Sequence, residues 1–222
     1  MEFDNKTLLF CTSYFDNNYI WENRYLKWIN YFNSIKINKD KVLIIDDGSP
    51  RLPQDERLPV IFPDTIKDEE PEGRNLIIHF SENLGRPEML NYPGWFRSFS
   101  YASQYAKLFN YKKIIHIESD IFILSKRILN YINDLNSGWV SFTCRRHGFP
   151  ESGIQIICED QLENLEAFCK KGYSSYKGTA IEVLLPFTKV ENGFIGDRYG
   201  EYMHAPPVNV DYCSQYLPEW KI

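Results

Sequence analysis

The sequence has no long apolar run. Its longest stretch without Asp, Glu, Lys or Arg extends from Leu135 to Cys144, whereas a membrane-spanning helix needs about 20 apolar residues. The pattern of a secretory leader is not visible either. We therefore expect a cytoplasmic protein with at most peripheral membrane association.

Cysteine is sparse and its spacing forms no recognisable framework. The five cysteines are an odd number without a CxxC pair: Cys11, Cys144, Cys158, Cys169 and Cys213. This distribution is typical of reduced, buried thiols in a cytosolic protein.

Several common signatures are also missing. The sequence contains no GxxxxGK[ST], GxGxxG, GxSxG or HExxH motif, which argues against P-loop hydrolases, dinucleotide enzymes, serine hydrolases and zincins. The net charge is -5, and without clustered Lys and Arg we expect no nucleic-acid partner.

The composition is that of a folded globular domain. Hydrophobic residues make up 43% of the 222 residues and charged residues 25%, which is enough apolar material for one sizeable core. We expect a single domain over residues 1–222.

Apolar runs and helical patterns alternate along the first half of the chain. Buried strands are predicted at 8–14, 42–45, 76–80 and 114–117, and helices at 19–32 and 95–109. The segment 50–74 holds five prolines and is predicted to be irregular. Strand-helix-strand alternation predicts an α/β fold with a mainly parallel sheet, helices on both faces and ligands at the carboxyl ends of the strands.

The C-terminal third is less regular. Strands are predicted at 139–144 and 153–157, and helices near 160–171 and 179–185.

Two acidic motifs follow predicted strands. Asp46-Asp47-Gly48-Ser49 follows the second strand, where carboxylates can accept hydrogen bonds from a base or ribose, although an ordinary Asp/Gly turn explains the tetrapeptide equally well. Glu118-Ser119-Asp120 follows the fourth strand and interrupts an apolar stretch. Buried carboxylates need a partner, and two hard oxygen ligands suit Mg²⁺ or Mn²⁺ bridging to a diphosphate.

The order of these motifs resembles that of GT-A glycosyltransferases, which have a Rossmann-like sheet. The resemblance covers residues 7–125, is of the family 2 type and adds features similar to family 8 in the C-terminal third. It depends on the two acidic motifs, the Asn83-Leu84-Gly85 loop and Arg97 on a helix. Glu118 stands where Asp is commoner, and the segment 86–94 is longer than usual.

The resemblance implies roles for these residues. Residues 1–125 would form the nucleotide-sugar-binding half and 126–222 the acceptor-side half. Glu118 and Asp120 would bind Mn²⁺ or Mg²⁺. The nucleotide-sugar site would comprise Thr12, Ser13, Tyr14, Asp46, Asp47, Gly48, Ser49, Asn83, Gly85, Arg97 and Ser119.

Further candidates lie in the C-terminal third. His204 is a candidate third metal ligand, because some GT-A enzymes supply a His from this region, and an ordinary loop His is the alternative. Glu182 is the preferred general base, since it is the only acid in a largely apolar predicted helix. Asp160 and Asp197 are the other candidates for that role.

The sequence therefore predicts a metal-dependent glycosyltransferase of the kind used in polysaccharide biosynthesis. It would transfer a sugar from a nucleotide-diphosphate sugar to a carbohydrate or other acceptor. A sugar-nucleotide nucleotidyltransferase is one alternative, although no Gly-rich loop follows the first strand. A noncatalytic carbohydrate-binding protein of the same fold is the other.

Overall fold

The structure is a computed structural model that describes residues 6–53, 55, 57–202, 204–217 and 220. Over these residues the strands are, in chain order, β1 Thr7–Ser13, β2 Lys41–Asp46, β3 Val60–Ile61, β4 Asn75–His79, β5 Lys113–Ile117, β6 Phe122–Ile123, β7 Trp139–Cys144, β8 Phe149–Pro150, β9 Ile154–Cys158, β10 Lys189–Glu191, β11 Gly196–Arg198 and β12 Tyr212–Ser214.

Helices connect most of these strands. The α-helices are α1 Asn18–Ile20, α2 Lys27–Ser34, α3 Pro93–Leu108, α4 Lys126–Asp134, α5 Leu162–Lys170 and α6 Ile181–Leu184. A π-helical segment, Trp21–Leu26, joins α1 to α2, and short 3₁₀ helices cover Pro63–Thr65, Glu159–Gln161, Tyr173–Ser175 and Tyr199–Tyr202. No helix in the described ranges is long and apolar enough to cross a membrane.

The main sheet has the strand order β10-β7-β9-β5-β1-β2-β4-β3, with β8 paired to β7. Strands β5, β1, β2, β4 and β3 are all parallel to their neighbours within that run. Strand β9 is antiparallel to both β5 and β7. A smaller sheet has the order β11-β12-β6.

Successive side chains of the central strands point to opposite faces of the main sheet, as strand geometry requires. On one face Leu9 and Cys11 belong to the same core cluster as Trp28 of α2 and Ile128 of α4. On the other face, the core cluster contains Leu8 and Phe10 together with side chains of α3 and α5. Both faces are thus covered by helices, which confirms the predicted mainly parallel α/β sheet.

The strands predicted in the first half of the chain are confirmed to within a residue or so at each end. Within segment 50–74, the described residues (50–53, 55 and 57–74) contain the two-residue strand β3 and one 3₁₀ turn as their only regular elements. The sequence did not predict that β9 runs against its neighbours. The helix predicted at 179–185 is reduced to Ile181–Leu184.

Candidate functional site

The carboxyl end of β2 carries two aspartates with different environments. Asp46 is fully buried. Its carboxylate accepts hydrogen bonds from the Ser13 hydroxyl (3.0 Å), the Ser49 amide (2.9 Å) and the Ser49 hydroxyl (2.5 Å), and it lies 2.7 Å from Nδ1 of His79. Asp46 therefore ties β1, β2 and β4 together under the site. Its oxygens face protein donors, and its contact with a nucleoside stays a prediction.

Gly48 and Ser49 complete this turn without reaching the cavity described below. The backbone of Gly48 has a φ of 74°, and a Cβ there would lie 2.5 Å from the carbonyl carbon of Glu82. Only glycine fits such a left-handed, crowded position. Ser49 is buried and its hydroxyl also accepts the amide of Phe15 at 2.8 Å. Both residues shape the turn, in contrast to their predicted contact with the nucleotide.

Asp47 has the opposite orientation and faces a cavity. Its carboxylate accepts hydrogen bonds from the side-chain amide of Asn83 (3.0 Å) and the Gly85 amide (2.8 Å), and it is paired with Arg97. Burial raises the pKa of Asp47, although the Gly85 amide and Arg97 oppose that effect. The Asn-Leu-Gly loop thus holds this carboxylate in place.

Arg97 lies behind Asp47 and outside the cavity lining. Its guanidinium donates to the Glu82 carbonyl at 2.5 Å and lies 4.1 Å from the centre of the Phe80 ring. Helix α3 directs the Arg97 side chain at Asp47, and its approach to the donor stays a prediction.

Glu118 follows β5 and is surrounded by hydrogen-bond donors. Its carboxylate accepts from the Thr12 hydroxyl (2.9 Å) and from Nε1 of Trp95 (2.7 Å), and Nε2 of His116 lies 3.0 Å away. Burial raises the pKa of Glu118, but His116 and the two donors outweigh it, so the pKa lies below its ordinary value. Glu118 is therefore held as a carboxylate.

Asp120 is paired with a residue that the sequence analysis did not single out. Arg24, in the π-helical segment, donates from Nη2 to the Asp120 carboxylate at 2.9 Å and from Nε to the Ser119 hydroxyl at 2.6 Å. Burial raises the pKa of Asp120; Arg24 opposes this, and the charge of Glu118 adds to it. Ser119 is buried and acts here as an acceptor for Arg24.

A second ionic cluster forms the opposite wall. Arg198 of β11 donates to both oxygens of Glu151 (2.9 and 3.1 Å) and to Glu182 at 2.9 Å. Glu182 also accepts from the Ser152 hydroxyl at 3.3 Å. Because burial lowers the pKa of Arg198 less than the carboxylates raise it, its pKa lies above the ordinary value. The guanidinium is therefore a permanent positive charge beside the predicted base.

These groups surround one cavity of about 720 Å³ at the carboxyl ends of β1, β2 and β5. It is within the size range of small-molecule sites. Nine residues predicted from the sequence line it: Thr12, Ser13, Tyr14, Asp47, Asn83, Gly85, Glu118, Asp120 and Glu182. Asp47, Glu118 and Asp120, which come from both motifs, therefore face a common space.

Two predicted residues do not line the cavity. Asp160 follows β9 and accepts the amide of Gly138 at 2.9 Å, just before β7 begins. Because β9 is antiparallel, its end lies at the amino ends of β5 and β7. Asp160 makes a backbone contact there and does not line the cavity, and its catalytic role stays a prediction. His204 is exposed on a loop and does not line the cavity.

Asp197, the other base candidate, also has a different position. Its carboxylate lies 3.3 Å from Sγ of Cys144 and accepts the hydroxyl of Tyr202 at 3.1 Å. It does not line the cavity.

The protein oxygens available to a cation are few. Over the described residues there is no group of three or more His, Cys, Asp or Glu side chains that could hold a metal ion. The acid-x-acid motif offers two carboxylates, and His204 does not join them. A divalent ion here would need its remaining ligands from a phosphate-bearing ligand and water, as Mg²⁺ sites commonly do.

Comparisons with known proteins find a similarity of fold to a solved structure. No protein family model matches the chain, and no curated protein matches it. Among solved structures, the chain is similar to the crystal structure of a glycosyltransferase involved in the glycosylation of the major capsid of PBCV-1. The two sequences are 12% identical, the TM-score is 0.46, and the similarity covers 94% of this chain and 92% of that chain.

Proposed function

We propose that this protein is a glycosyltransferase of the GT-A type that takes a nucleoside-diphosphate sugar as donor and a carbohydrate or other hydroxyl-bearing molecule as acceptor. The observation that carries the proposal is the meeting of Asp47, Glu118 and Asp120 around one cavity. They come from two separate strand ends, β2 and β5. Ligands of open α/β sheets bind at such strand ends.

The two walls of the cavity suit different substrates. Thr12, Ser13, Tyr14 and Asp47, at the ends of β1 and β2, offer hydroxyl, aromatic and carboxylate groups. We assign this wall to the nucleoside. The wall that contains Glu182 is assigned to the acceptor, whose hydroxyl groups are suited to hydrogen bonds with carboxylates.

A divalent cation fits the acid-x-acid motif by the chemistry of its donors. Both carboxylates are partly open to the cavity, with 20% of the Glu118 side chain and 27% of the Asp120 side chain exposed. Mn²⁺ or Mg²⁺ would be held by these two residues, and when bound it would offset charge on the departing nucleoside diphosphate. The hydrogen bonds from Thr12 and Trp95 keep the Glu118 carboxylate oriented during such binding.

Glu182 is the proposed general base. A base must lie within hydrogen-bond reach of the acceptor hydroxyl, and Glu182 lines the cavity. Its pairing with Arg198 keeps it in place at 2.9 Å. The reaction would form a bond from the acceptor oxygen to the anomeric carbon and break the bond to the diphosphate, while the acceptor proton passes to Glu182.

Calorimetric titration tests the donor and metal assignments. UDP, GDP and dTDP, and their sugars, would be titrated with and without Mn²⁺. We expect one nucleotide to bind the unchanged protein in the presence of Mn²⁺. The same nucleotide should bind Asp120→Asn at least about tenfold more weakly, since hydrogen bonds and contacts to charged groups are worth about 1.5–3 kcal/mol. Asp16→Asn, a change at an exposed acid next to the same wall, is the control. Full Mn²⁺-dependent affinity in Asp120→Asn would refute the metal assignment.

A kinetic measurement tests the base. Glu182→Gln should lower the transfer rate about 10²-fold or more at unchanged donor affinity, because that is the usual contribution of a general base. If Glu182→Gln transfers sugar at the rate of the unchanged protein, Glu182 is not the base. Pyrophosphate release from a nucleoside triphosphate would instead identify a nucleotidyltransferase.

A further inference from the structure

Arg24 is the cation closest to the acid-x-acid motif. It lies in the π-helical segment Trp21–Leu26, and π-helical turns often occur at functional sites. Its guanidinium bridges Ser119 (2.6 Å) and Asp120 (2.9 Å), lines the cavity and is 38% exposed. Arg24 therefore approaches the cavity from a different element than the motif itself.

The other acids of the cavity have partners of their own. Asp47 is paired with Arg97, and both Glu151 and Glu182 are paired with Arg198. Glu118 has its donors in Thr12, Trp95 and His116. Within the described residues, Arg24 is the cation whose hydrogen bonds reach Asp120.

A divalent ion on Asp120 would share that carboxylate with Arg24. The two positive charges would lie within a few ångströms of each other, and like charges at such distances repel strongly in a partly buried site. A diphosphate changes this balance, since it brings negative oxygens for both cations. Arg has five N–H donors, and Ser119 and Asp120 use two of them, so others remain for phosphate oxygens.

We propose that Arg24 is the counter-ion of Asp120 in the free protein and makes divalent-ion binding conditional on the donor diphosphate. The inference rests on the proposed function for the identity of the ligand. Without nucleotide, Arg24 neutralises Asp120 and excludes the ion. With nucleotide, the guanidinium and the ion share the added negative charge.

The direct test is Mn²⁺ titration of the nucleotide-free protein, followed by calorimetry or by the electron spin resonance signal of free Mn²⁺. Arg24→Gln should bind Mn²⁺ about tenfold more tightly than the unchanged protein, and Arg24→Lys, which retains the charge, should stay within about threefold of it. Arg57→Gln removes an equal charge at an exposed position and should change nothing. Equal Mn²⁺ affinity in Arg24→Gln and the unchanged protein would overturn the proposal.

A milder variant guards against loss of the fold. Ser119→Ala removes the acceptor of the Arg24 Nε and should raise nucleotide-free Mn²⁺ affinity by about threefold, because one hydrogen bond is worth about 0.5–1.5 kcal/mol. Thermal melting followed by circular dichroism checks that each variant is folded. If Ser119→Ala is folded and binds Mn²⁺ more weakly than the unchanged protein, the proposed competition between Arg24 and the ion is contradicted.

A second arm separates this inference from the proposed function. The gain in Mn²⁺ affinity on adding the nucleotide should be large in the unchanged protein and about tenfold smaller in Arg24→Gln, since coupling between two ligands is reciprocal and measurable. If no nucleotide alters Mn²⁺ affinity in any variant, the proposed function fails. The nucleotide-free titration would still decide whether Arg24 competes with the ion.

Discussion

Replacing Asp46 by alanine should lower the free energy of unfolding rather than remove a direct contact to a ligand. The change removes an acceptor of hydrogen bonds from Ser13 and Ser49 and the partner of His79 in a fully buried position. Removing one member of a buried charged network costs about 3–5 kcal/mol. With a urea m value of about 2–3 kcal/mol/M, the midpoint of unfolding should fall by about 1–2 M.

Asparagine at the same position should cost less, about 1–2 kcal/mol. Its oxygen can still accept the Ser49 amide, which only donates, while the hydroxyls of Ser13 and Ser49 can turn to accept from the new NH₂ group. Urea unfolding followed by fluorescence measures both variants, with Asp16→Ala, at an exposed acid, expected within about 0.5 kcal/mol of the unchanged protein. If Asp46→Ala unfolds at an unchanged midpoint but loses nucleotide affinity, Asp46 contacts the nucleotide and the argument from burial is refuted.

Two further outcomes follow from particular contacts. Gly94→Ala places a methyl group 2.0 Å from Oδ2 of Asp47, so it should displace that carboxylate. We expect a loss of about 1–3 kcal/mol in the free energy of unfolding and weaker nucleotide binding in calorimetry. Gly193→Ala, whose Cβ meets no described atom within 4 Å, should change neither stability nor binding. Burial lowers the pKa of Lys39 to about 8 from its ordinary 10.5, so the unfolded chain binds the proton more tightly and stability should rise as pH increases from about 8 to 10.5. Lys39→Met should remove that rise and increase the free energy of unfolding at pH 7 by about 1–2 kcal/mol, measured by urea unfolding. A steeper rise of stability with pH in the variant would contradict this sign.

The central sheet was predictable because its strands are buried on both faces and appear as continuous apolar runs, such as Leu43-Ile44-Ile45. The direction of β9 was not. An apolar run like Ile154–Cys158 carries no information on whether it pairs parallel or antiparallel. The position of Asp160, outside the cavity lining, follows from that direction.

The pair Asp46-Asp47 shows a second limit of the sequence. Adjacent residues of a strand end point to opposite sides, so one of two identical side chains enters the cavity and the other enters the core. A shift of one residue in register would exchange them. The hydrogen bonds with Ser13, Ser49 and His79 hold Asp46 as the buried member.

The cations of the site were the least predictable part. Arg24 is 96 residues from Asp120, and Arg198 is 47 residues from Glu151 and 16 from Glu182. No local sequence pattern predicts such contacts. Trp95 lies in the predicted helix 95–109, but its Nε1 group reaches Glu118 only because α3 packs against β1 and β2.

The antiparallel strand β9 also constrains how the chain reaches its native state. Strands β7 and β9 are close in sequence and pair with each other, so they can form a local hairpin before any distant pairing, which is the faster kind of event. The nascent sheet then presents β5 as an open edge until that hairpin docks. Because the Glu118 amide donates to the Gly153 carbonyl at 2.9 Å, docking of that hairpin also completes the cavity beside Glu118. Slow docking should therefore delay the appearance of activity to the same extent as the protection of β5 amides from hydrogen exchange.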